Sequence, residues 1–159
     1  MTYKRLMIFD LDETVVDSAH RTPNHPDGTL NLPLYLTLKT RENTLRDGLL
    51  PLAEFWRSLD LSETYVIVCT ARTWAEFDQE FLDMHGLRAH KIIARFTEAE
   101  RKMRDPELKR RGLSHLFNLK QFRNLPKYMF DDAKPVITAM REMGIVCLNS
   151  HKVNRRLTT

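Results

Sequence analysis

The sequence has few cysteines and no long apolar run. Its 159 residues include two cysteines, Cys69 and Cys147, and both lie in apolar, strand-like stretches, which predicts buried free thiols rather than a disulfide or a metal site. No stretch approaches the about 18 consecutive apolar residues of a membrane span, and the apolar run behind the basic start is too short for a signal peptide. We therefore expect one cytoplasmic domain over residues 1–159, without a membrane partner.

Positive charge is unevenly distributed along the chain. The formal net charge is +4, but residues 88–127 carry twelve lysines and arginines against four aspartates and glutamates. Such a basic segment is typical either of a solvated surface or of a protein with an anionic partner such as nucleic acid. Both interpretations stay open at this point.

Short β-branched apolar runs alternate with amphipathic segments, which predicts an α/β fold with a parallel sheet and helices on its faces. The predicted strands cover residues 6–9, 65–69, 90–95, 127–130 and 145–148. Helices are predicted from apolar stripes over 52–59, 74–81, 108–116 and 136–143, the last ending at Gly144. The turn-rich segment 22–33 is expected to lie over one edge of the sheet.

Polar residues follow the predicted strands. They are Asp10 and Asp12 after the first strand, Thr70 and Arg72 after the second, and Asp131 and Asp132 after a later one, with Lys109 in the helix before it. Ligands bind at the carboxyl ends of parallel strands, so these groups should meet at one rim. Clustered carboxylates repel one another unless a cation lies between them. Hard oxygen ligands suit Mg²⁺, which predicts a magnesium and phosphoryl site with an aspartate nucleophile.

The order of these motifs resembles the haloacid dehalogenase (HAD) superfamily of phosphatases. The motifs are D-x-D-x-T, a strand ending in threonine, a lysine, and a strand followed by Asp-Asp. The resemblance implies a HAD-like Rossmannoid three-layer sandwich with a parallel sheet. Because the inserts are short, no large cap domain is expected, and residues 18–50 form a flap or small insert. Glu13 departs from the glycine that many members have at this position.

Roles for the site residues follow from this resemblance. Asp10 is implied as the nucleophile that forms an aspartyl-phosphate, and Asp12 as the general acid and then the base. Thr70 would bind a phosphate oxygen, and Lys109 would bridge the phosphate and the nucleophile. The implied ligands of Mg²⁺ are Asp10, the backbone carbonyl of Asp12, and the pair Asp131 and Asp132, of which Asp132 aligns with the usual ligand and Asp131 supports it.

A narrower resemblance is to the 3′-phosphatase domain of bacteriophage polynucleotide kinase-phosphatases. That group has an arginine eleven residues after the nucleophile and another two residues after the strand-end Ser/Thr, positions that Arg21 and Arg72 hold here. Both arginines are implied to bind the leaving side of the substrate. The sequence has no G-x-x-x-x-G-K-[ST] P-loop, so only the phosphatase half is implied. An open rim beside the basic segment 88–127 then favours a nucleic-acid 3′ end or a nucleotide as substrate.

Other functions compete with this interpretation. A phosphatase for small non-nucleotide phosphoesters has the same motifs. A two-component receiver also has clustered aspartates, a threonine and a lysine, but there the acidic pair precedes the phospho-acceptor, the reverse of the order in this chain. A non-catalytic domain that binds nucleic acid is disfavoured because every expected catalytic position is filled. An enzyme without a cap can also close its site by forming a homo-oligomer.

Overall fold

A central sheet of parallel strands organises the protein in the computed structural model, which describes residues 2–158; Met1 and Thr159 lie outside the described residues. In chain order the strands are β1 Arg5–Phe9, β2 Val16–Asp17, β3 Gly48–Leu49, β4 Thr64–Thr73, β5 Lys91–Arg95, β6 Lys127–Asp131 and β7 Val146–Asn149. Five of them form the sheet, in the order β5-β4-β1-β6-β7, and every neighbouring pair is parallel. The predicted parallel sheet is confirmed.

Both faces of the sheet are apolar. Along β1, Leu6 and Ile8 belong to one core cluster, whereas Met7 and Phe9 belong to the other. Successive side chains of a strand point to opposite faces, so an unbroken apolar run is what a sheet covered on both sides requires. The helices are α1 Leu32–Leu38, α2 Arg41–Leu45, α3 Leu52–Arg57, α4 Glu76–Met84, α5 Glu98–Arg101, α6 Asp105–Phe117, α7 Lys134–Glu142 and α8 Ser150–Leu157.

Helices cover the two faces of the sheet. Leu113 of α6 and Met140 of α7 pack in the cluster of the first face. Trp56 of α3 and Phe81 of α4 pack in the cluster of the second, where the ring of Trp56 stacks on that of Phe9 with centroids 4.8 Å apart. The predicted three-layer α/β sandwich is therefore confirmed.

A small insert leaves the sheet directly after β1. Strands β2 and β3 pair antiparallel, Val16 with Leu49, and α1 and α2 lie in the segment that they enclose. No larger cap is evident between residues 2 and 158, as predicted. Within the segment 22–33, Leu30 and Leu32 line a cavity at the strand ends, and the position of this segment over an edge of the sheet stays a prediction.

Strand β4 is longer than predicted. It continues to Thr73 because Thr73 pairs with Arg95 of β5 after a register shift that begins at Cys69. Thr70 and Arg72 consequently lie within the strand, not after it. The apolar pattern ends at Cys69, so the continuation depends on a distant pairing partner.

Two helix ends show the limits of the apolar pattern. Helix α7 ends as predicted, with Gly144 just beyond it at a φ of 84°, a left-handed conformation that glycine adopts easily. Helix α8 was not predicted, because its sequence is mostly polar. Its Asn154 is buried and accepts a hydrogen bond from the backbone N–H of Leu52 at 2.9 Å, which anchors α8 to the start of α3.

The sequence predicts two buried free thiols and no membrane span. Cys69 and Cys147 are both free and buried, as predicted. Of the helices between residues 2 and 158, none has the length and apolar character needed to cross a membrane.

Candidate active site

Three carboxylates converge at the carboxyl ends of β1 and β6. Asp10 directly follows β1, Asp131 is the last residue of β6, and Asp132 comes next. The backbone N–H of Asp10 donates to the carbonyl of Phe130 at 3.1 Å, which continues the pairing of the two strands. Carboxylate oxygens of the three aspartates lie within 4.8 Å of one another. The predicted grouping of Asp10, Asp131 and Asp132 is thus present in the structure.

Lys109 reaches this carboxylate cluster from α6. Its side chain is buried, and its Nζ donates to Asp131 Oδ2 at 2.7 Å and to Asp10 Oδ1 at 3.1 Å. Burial disfavours the charge of Lys109, but Asp10 and Asp131 outweigh it and raise the pKa of the lysine above its ordinary value. The lysine therefore holds the nucleophile candidate and the last residue of β6 together.

The carboxylate cluster carries more negative charge than one lysine compensates. Burial raises the pKa of Asp10 well above its ordinary value, and although Lys109 opposes this, Asp131 and Asp132 add to it. A divalent cation would relieve the repulsion. Three carboxylates with oxygens this close form a hard-oxygen donor set, and the residues present therefore fit Mg²⁺.

The carboxylate of Asp12 is not part of this cluster. It accepts hydrogen bonds from Arg72, at 2.9 Å from Nε and 2.7 Å from Nη2, and from the Ser18 hydroxyl at 2.8 Å. Burial alone would raise the pKa of Asp12, but Arg72 and Ser18 hold it well below its usual range. Asp12 and Arg72 both line the cavity described below. The contribution of the Asp12 backbone carbonyl to a metal stays a prediction.

Arg21 lies in a buried ionic network that the sequence did not predict. Its Nε and Nη2 donate to Asp47 Oδ1 and Oδ2 at 2.9 and 2.8 Å, and His20 Nε2 lies 2.8 Å from Asp47 Oδ1. Arg72 Nη2 is 3.6 Å from Asp47 Oδ2, and Arg72 Nη1 donates to Asp78 at 3.0 Å. Both arginines are therefore occupied by carboxylates of the protein itself.

Thr70 is fully buried beside Arg72. Its hydroxyl accepts a hydrogen bond from the backbone N–H of Arg72 at 3.2 Å, and Thr70 is not among the residues that line the cavity. Its contact with a phosphate stays a prediction. A second hydroxyl, that of Thr14, lies 3.2 Å from Asp10 Oδ2 and 3.0 Å from the hydroxyl of Ser150. The Thr14 position belongs to the D-x-D-x-T motif, but no sequence signal marks Ser150.

A cavity of about 520 Å³ lies over these groups. Its lining includes charged groups, namely the carboxylate cluster, Lys109 and Arg72. It also includes apolar surface, part of which comes from Leu30, Leu32 and Tyr35 of the insert. Leu30 is 41% and Leu32 53% exposed, so the insert presents apolar surface beside the charged groups. The cavity therefore combines an ionic site with an apolar wall.

The basic segment 88–127 is not a uniform cationic surface. Lys109 is buried in the site, and the guanidinium of Arg95 donates to the backbone carbonyls of Ala71, Glu100 and Met103 and to Asp105. At least these two basic side chains form hydrogen bonds with groups of the protein itself.

Comparison with known proteins identifies the family. The family model of bacteriophage T5 5′-deoxynucleotidase matches residues 1–159. The chain belongs to this bacteriophage T5 5′-deoxynucleotidase family. A 5′-deoxynucleotidase of Escherichia phage T5 is 31% identical over 171 aligned positions, which cover 94% of this chain and 68% of that relative.

Solved structures of other proteins share the fold of this deoxynucleotidase family member. A chain of the Pnkp1/Rnl/Hen1 RNA repair complex matches 92% of the protein with a TM-score of 0.68 and 18% identity. The protein spans only 42% of that chain. A haloacid dehalogenase-like hydrolase from Streptococcus pneumoniae matches 91% of the protein, with a TM-score of 0.62, 16% identity and 83% of its own length covered. The HAD-like fold that the motif order predicts is confirmed.

Proposed function

We propose that this protein is a Mg²⁺-dependent phosphomonoester hydrolase that acts on deoxynucleoside 5′-monophosphates through an aspartyl-phosphate. The observation that carries the proposal is the convergence of Asp10, Asp131, Asp132 and Lys109 in a cavity that apolar side chains of the insert also line. Family membership with an enzyme named 5′-deoxynucleotidase supports the substrate class. The limits of the domain at 1–159, a cytoplasmic location and a homo-oligomer stay predictions.

The metal would be held by Asp10, Asp131 and Asp132, with the carbonyl of Asp12 as the further ligand that the motif implies. When bound, Mg²⁺ would neutralise charge on the phosphoryl oxygens and on the three carboxylates. Lys109 would compensate part of the same charge from the side of α6, because its Nζ contacts both Asp10 and Asp131. Lys109 therefore also orients the attacking carboxylate.

The first half of the reaction transfers the phosphoryl group to Asp10. A carboxylate oxygen of Asp10 attacks phosphorus, the bond from phosphorus to the leaving oxygen breaks, and its electron pair stays on that oxygen. The leaving oxygen takes a proton from the carboxyl group of Asp12. Asp12 is ionised in the free protein, so it must first take up a proton, which a phosphomonoester monoanion can supply because its second ionisation lies at about pH 6.

The second half releases phosphate. The Asp12 carboxylate takes a proton from water, the water oxygen attacks phosphorus, and the bond between phosphorus and Asp10 breaks. This restores the Asp10 carboxylate and yields inorganic phosphate, which takes the proton from Asp12 as it leaves, so that Asp12 is ionised again. Thr70 is proposed to bind a phosphate oxygen. Arg21 and Arg72 are proposed to act on the leaving side, where Arg72 borders the cavity beside Asp12.

The apolar wall favours a nucleotide over a small sugar phosphate. A nucleoside monophosphate has an anionic phosphate at one end and a flat base with apolar faces at the other, which corresponds to the charged and the apolar lining of the cavity. Ligand sites commonly combine an apolar lining with a few placed polar groups. A nucleic-acid 3′ end remains the alternative from the motif resemblance, but two basic residues that it could use, Arg95 and Lys109, are engaged internally.

A substrate panel with Mg²⁺ tests the proposal. We expect the highest kcat/KM for deoxynucleoside 5′-monophosphates, compared with ribonucleotides, 3′- and 5′-phosphorylated oligonucleotides and small sugar phosphates. A preference for the 3′-phosphorylated oligonucleotide would establish the alternative, and a preference for sugar phosphates would refute nucleotide specificity.

A pair of variants in α1 tests the apolar wall. Leu32→Ser should raise KM for the nucleotide but not for a small sugar phosphate, because a polar side chain removes apolar contact with the base. Leu36→Ser is the matched control: Leu36 is in the same helix and 59% exposed, but it does not line the cavity. Equal KM values for the two variants with the nucleotide would contradict a base-binding wall.

A further inference from the structure

Asp47 lies between two buried arginines. It accepts both hydrogen bonds of the Arg21 fork and lies 3.6 Å from Nη2 of Arg72. The side chains of Arg21 and Arg72 are each 2% exposed, and that of Asp47 is 0% exposed. Two guanidinium groups with so little access to water repel each other strongly, because the interior screens charge poorly. Asp47 supplies the negative charge that allows both to be buried side by side.

The arginine next to Asp47 in turn holds Asp12. Arg72 binds both carboxylate oxygens of Asp12 with a planar fork, a geometry that fixes the orientation of the carboxylate as well as its position. Its remaining amino group donates to Asp78. Asp78 also accepts the backbone N–H of Ala75 at 2.8 Å, so it is fixed to the start of α4. Arg72 is therefore clamped from three directions, and Asp47 is the partner that comes from the insert.

We propose that Asp47 is a positioning residue for the leaving-group step, which it controls by holding Arg21 and Arg72 so that Arg72 orients Asp12. This inference rests on the proposed function, in which Asp12 gives a proton to the leaving oxygen. Without the Asp47 charge, Arg72 loses the carboxylate that holds it from the side of the insert. The Asp12 carboxyl then turns from the orientation that Arg72 gives it, and proton transfer to the leaving oxygen slows.

The test compares two substrates that differ in their need for a proton. The leaving oxygen of a nucleoside 5′-monophosphate is an alkoxide that requires protonation, whereas p-nitrophenolate leaves without it. The ratio kcat/KM reports the steps up to departure of the leaving group, so it isolates this half of the reaction. For Asp47→Asn we expect kcat/KM to fall about 100-fold with the nucleotide, as for the loss of general acid catalysis, and less than about threefold with p-nitrophenyl phosphate.

A matched control exists on the same insert. Arg41 of α2 binds Glu80 of α4 through the same forked geometry, and this pair also ties the insert to α4, but it does not contact Arg72 or Asp12. Glu80→Gln should therefore leave the ratio of the two kcat/KM values unchanged. A purely structural role of Asp47 would lower kcat/KM for both substrates by the same factor.

A second variant covers the case in which Asp47→Asn does not fold. Arg21→Met/Asp47→Leu removes one positive and one negative charge together, so no buried charge is left unpaired. It should show a larger selective loss with the nucleotide than Arg21→Met alone, which keeps Asp47 and reports what Arg21 itself contributes on the leaving side. Equal losses for the two substrates, or no loss in a folded variant, would overturn the inference. If the wild-type protein hydrolyses neither substrate, the proposed function fails first and the inference falls with it.

Discussion

Replacing Lys109 by methionine tests the electrostatic account of the site. Methionine keeps the length of the side chain but removes the charge that contacts Asp131 at 2.7 Å and Asp10 at 3.1 Å. Lys109 is only 2% exposed, so water cannot replace it. Removal of one partner from a buried ion pair costs about 3–5 kcal/mol, because the remaining charges are left uncompensated. We expect a loss of that size in the free energy of unfolding without divalent cations.

The same substitution should also slow catalysis. Loss of one preorganised charge at a site of developing negative charge costs about 3 kcal/mol in the barrier, or 100- to 1,000-fold in kcat. Mg²⁺ should stabilise Lys109→Met more than the wild type, because three carboxylates without their lysine attract the cation more strongly. At a concentration 100 times its dissociation constant, a ligand stabilises a protein by about 2.7 kcal/mol.

Urea unfolding with and without Mg²⁺, together with initial rates, measures these effects. Lys120→Met is the control, because Lys120 is an exposed lysine outside the site, and it should change neither quantity. If Lys109→Met and the wild type have the same urea midpoint of unfolding without Mg²⁺, the view that Lys109 compensates the carboxylate cluster is refuted.

Three other predictions address the nucleophile, the metal and the backbone. Asp10→Asn should remove turnover and keep the melting temperature near that of the wild type, and a variant that retains more than about a hundredth of the rate would exclude Asp10 as nucleophile. Chelation should abolish activity, Mg²⁺ should restore it and Ca²⁺ should inhibit it, whereas full activity in excess chelator would contradict the metal proposal. Glu13 has a φ of 61°, so Glu13→Gly should melt at a higher temperature than Glu13→Val, because glycine avoids about 1 kcal/mol of left-handed strain; the reverse order would refute this.

The central strands could be predicted because their signal is local. The apolar run before Asp10 predicts residues 6–9, and β1 is Arg5–Phe9. The end of β4 could not be predicted, because Thr70 to Thr73 lack an apolar pattern and are strand only through pairing near Arg95. Helix α8 could not be predicted for a similar reason. Its buried Asn154 is held by hydrogen bonds to backbone groups 102 and 140 residues away, and hydropathy does not report such contacts.

Some residues of the candidate site could likewise be predicted from the sequence, and others could not. Asp10, Asp131, Asp132 and Lys109 could be placed together from the order of motifs, because each lies near a strand end whose position is fixed by the sheet. Asp47 and Asp78 could not, because neither lies in a motif and each meets a buried arginine only in the folded chain, Asp47 with Arg21 and Asp78 with Arg72. A buried carboxylate beside a buried arginine is a pairing in space, and a single sequence contains no record of it.

The same buried charges explain how the insert keeps its place. Helix α1 has no buried residue, so apolar packing does not fix this part of the insert. Polar contacts join the insert to β4: the Arg21–Asp47 pair meets Arg72, and Lys39 donates to the carbonyl of Thr73 at 2.6 Å. Charged hydrogen bonds are directional, so they can fix a segment that apolar contacts would leave free to slide. The Arg21–Asp47 pair therefore serves both the insert that carries the apolar wall and the network that orients Asp12, and wall and proton donor are positioned together.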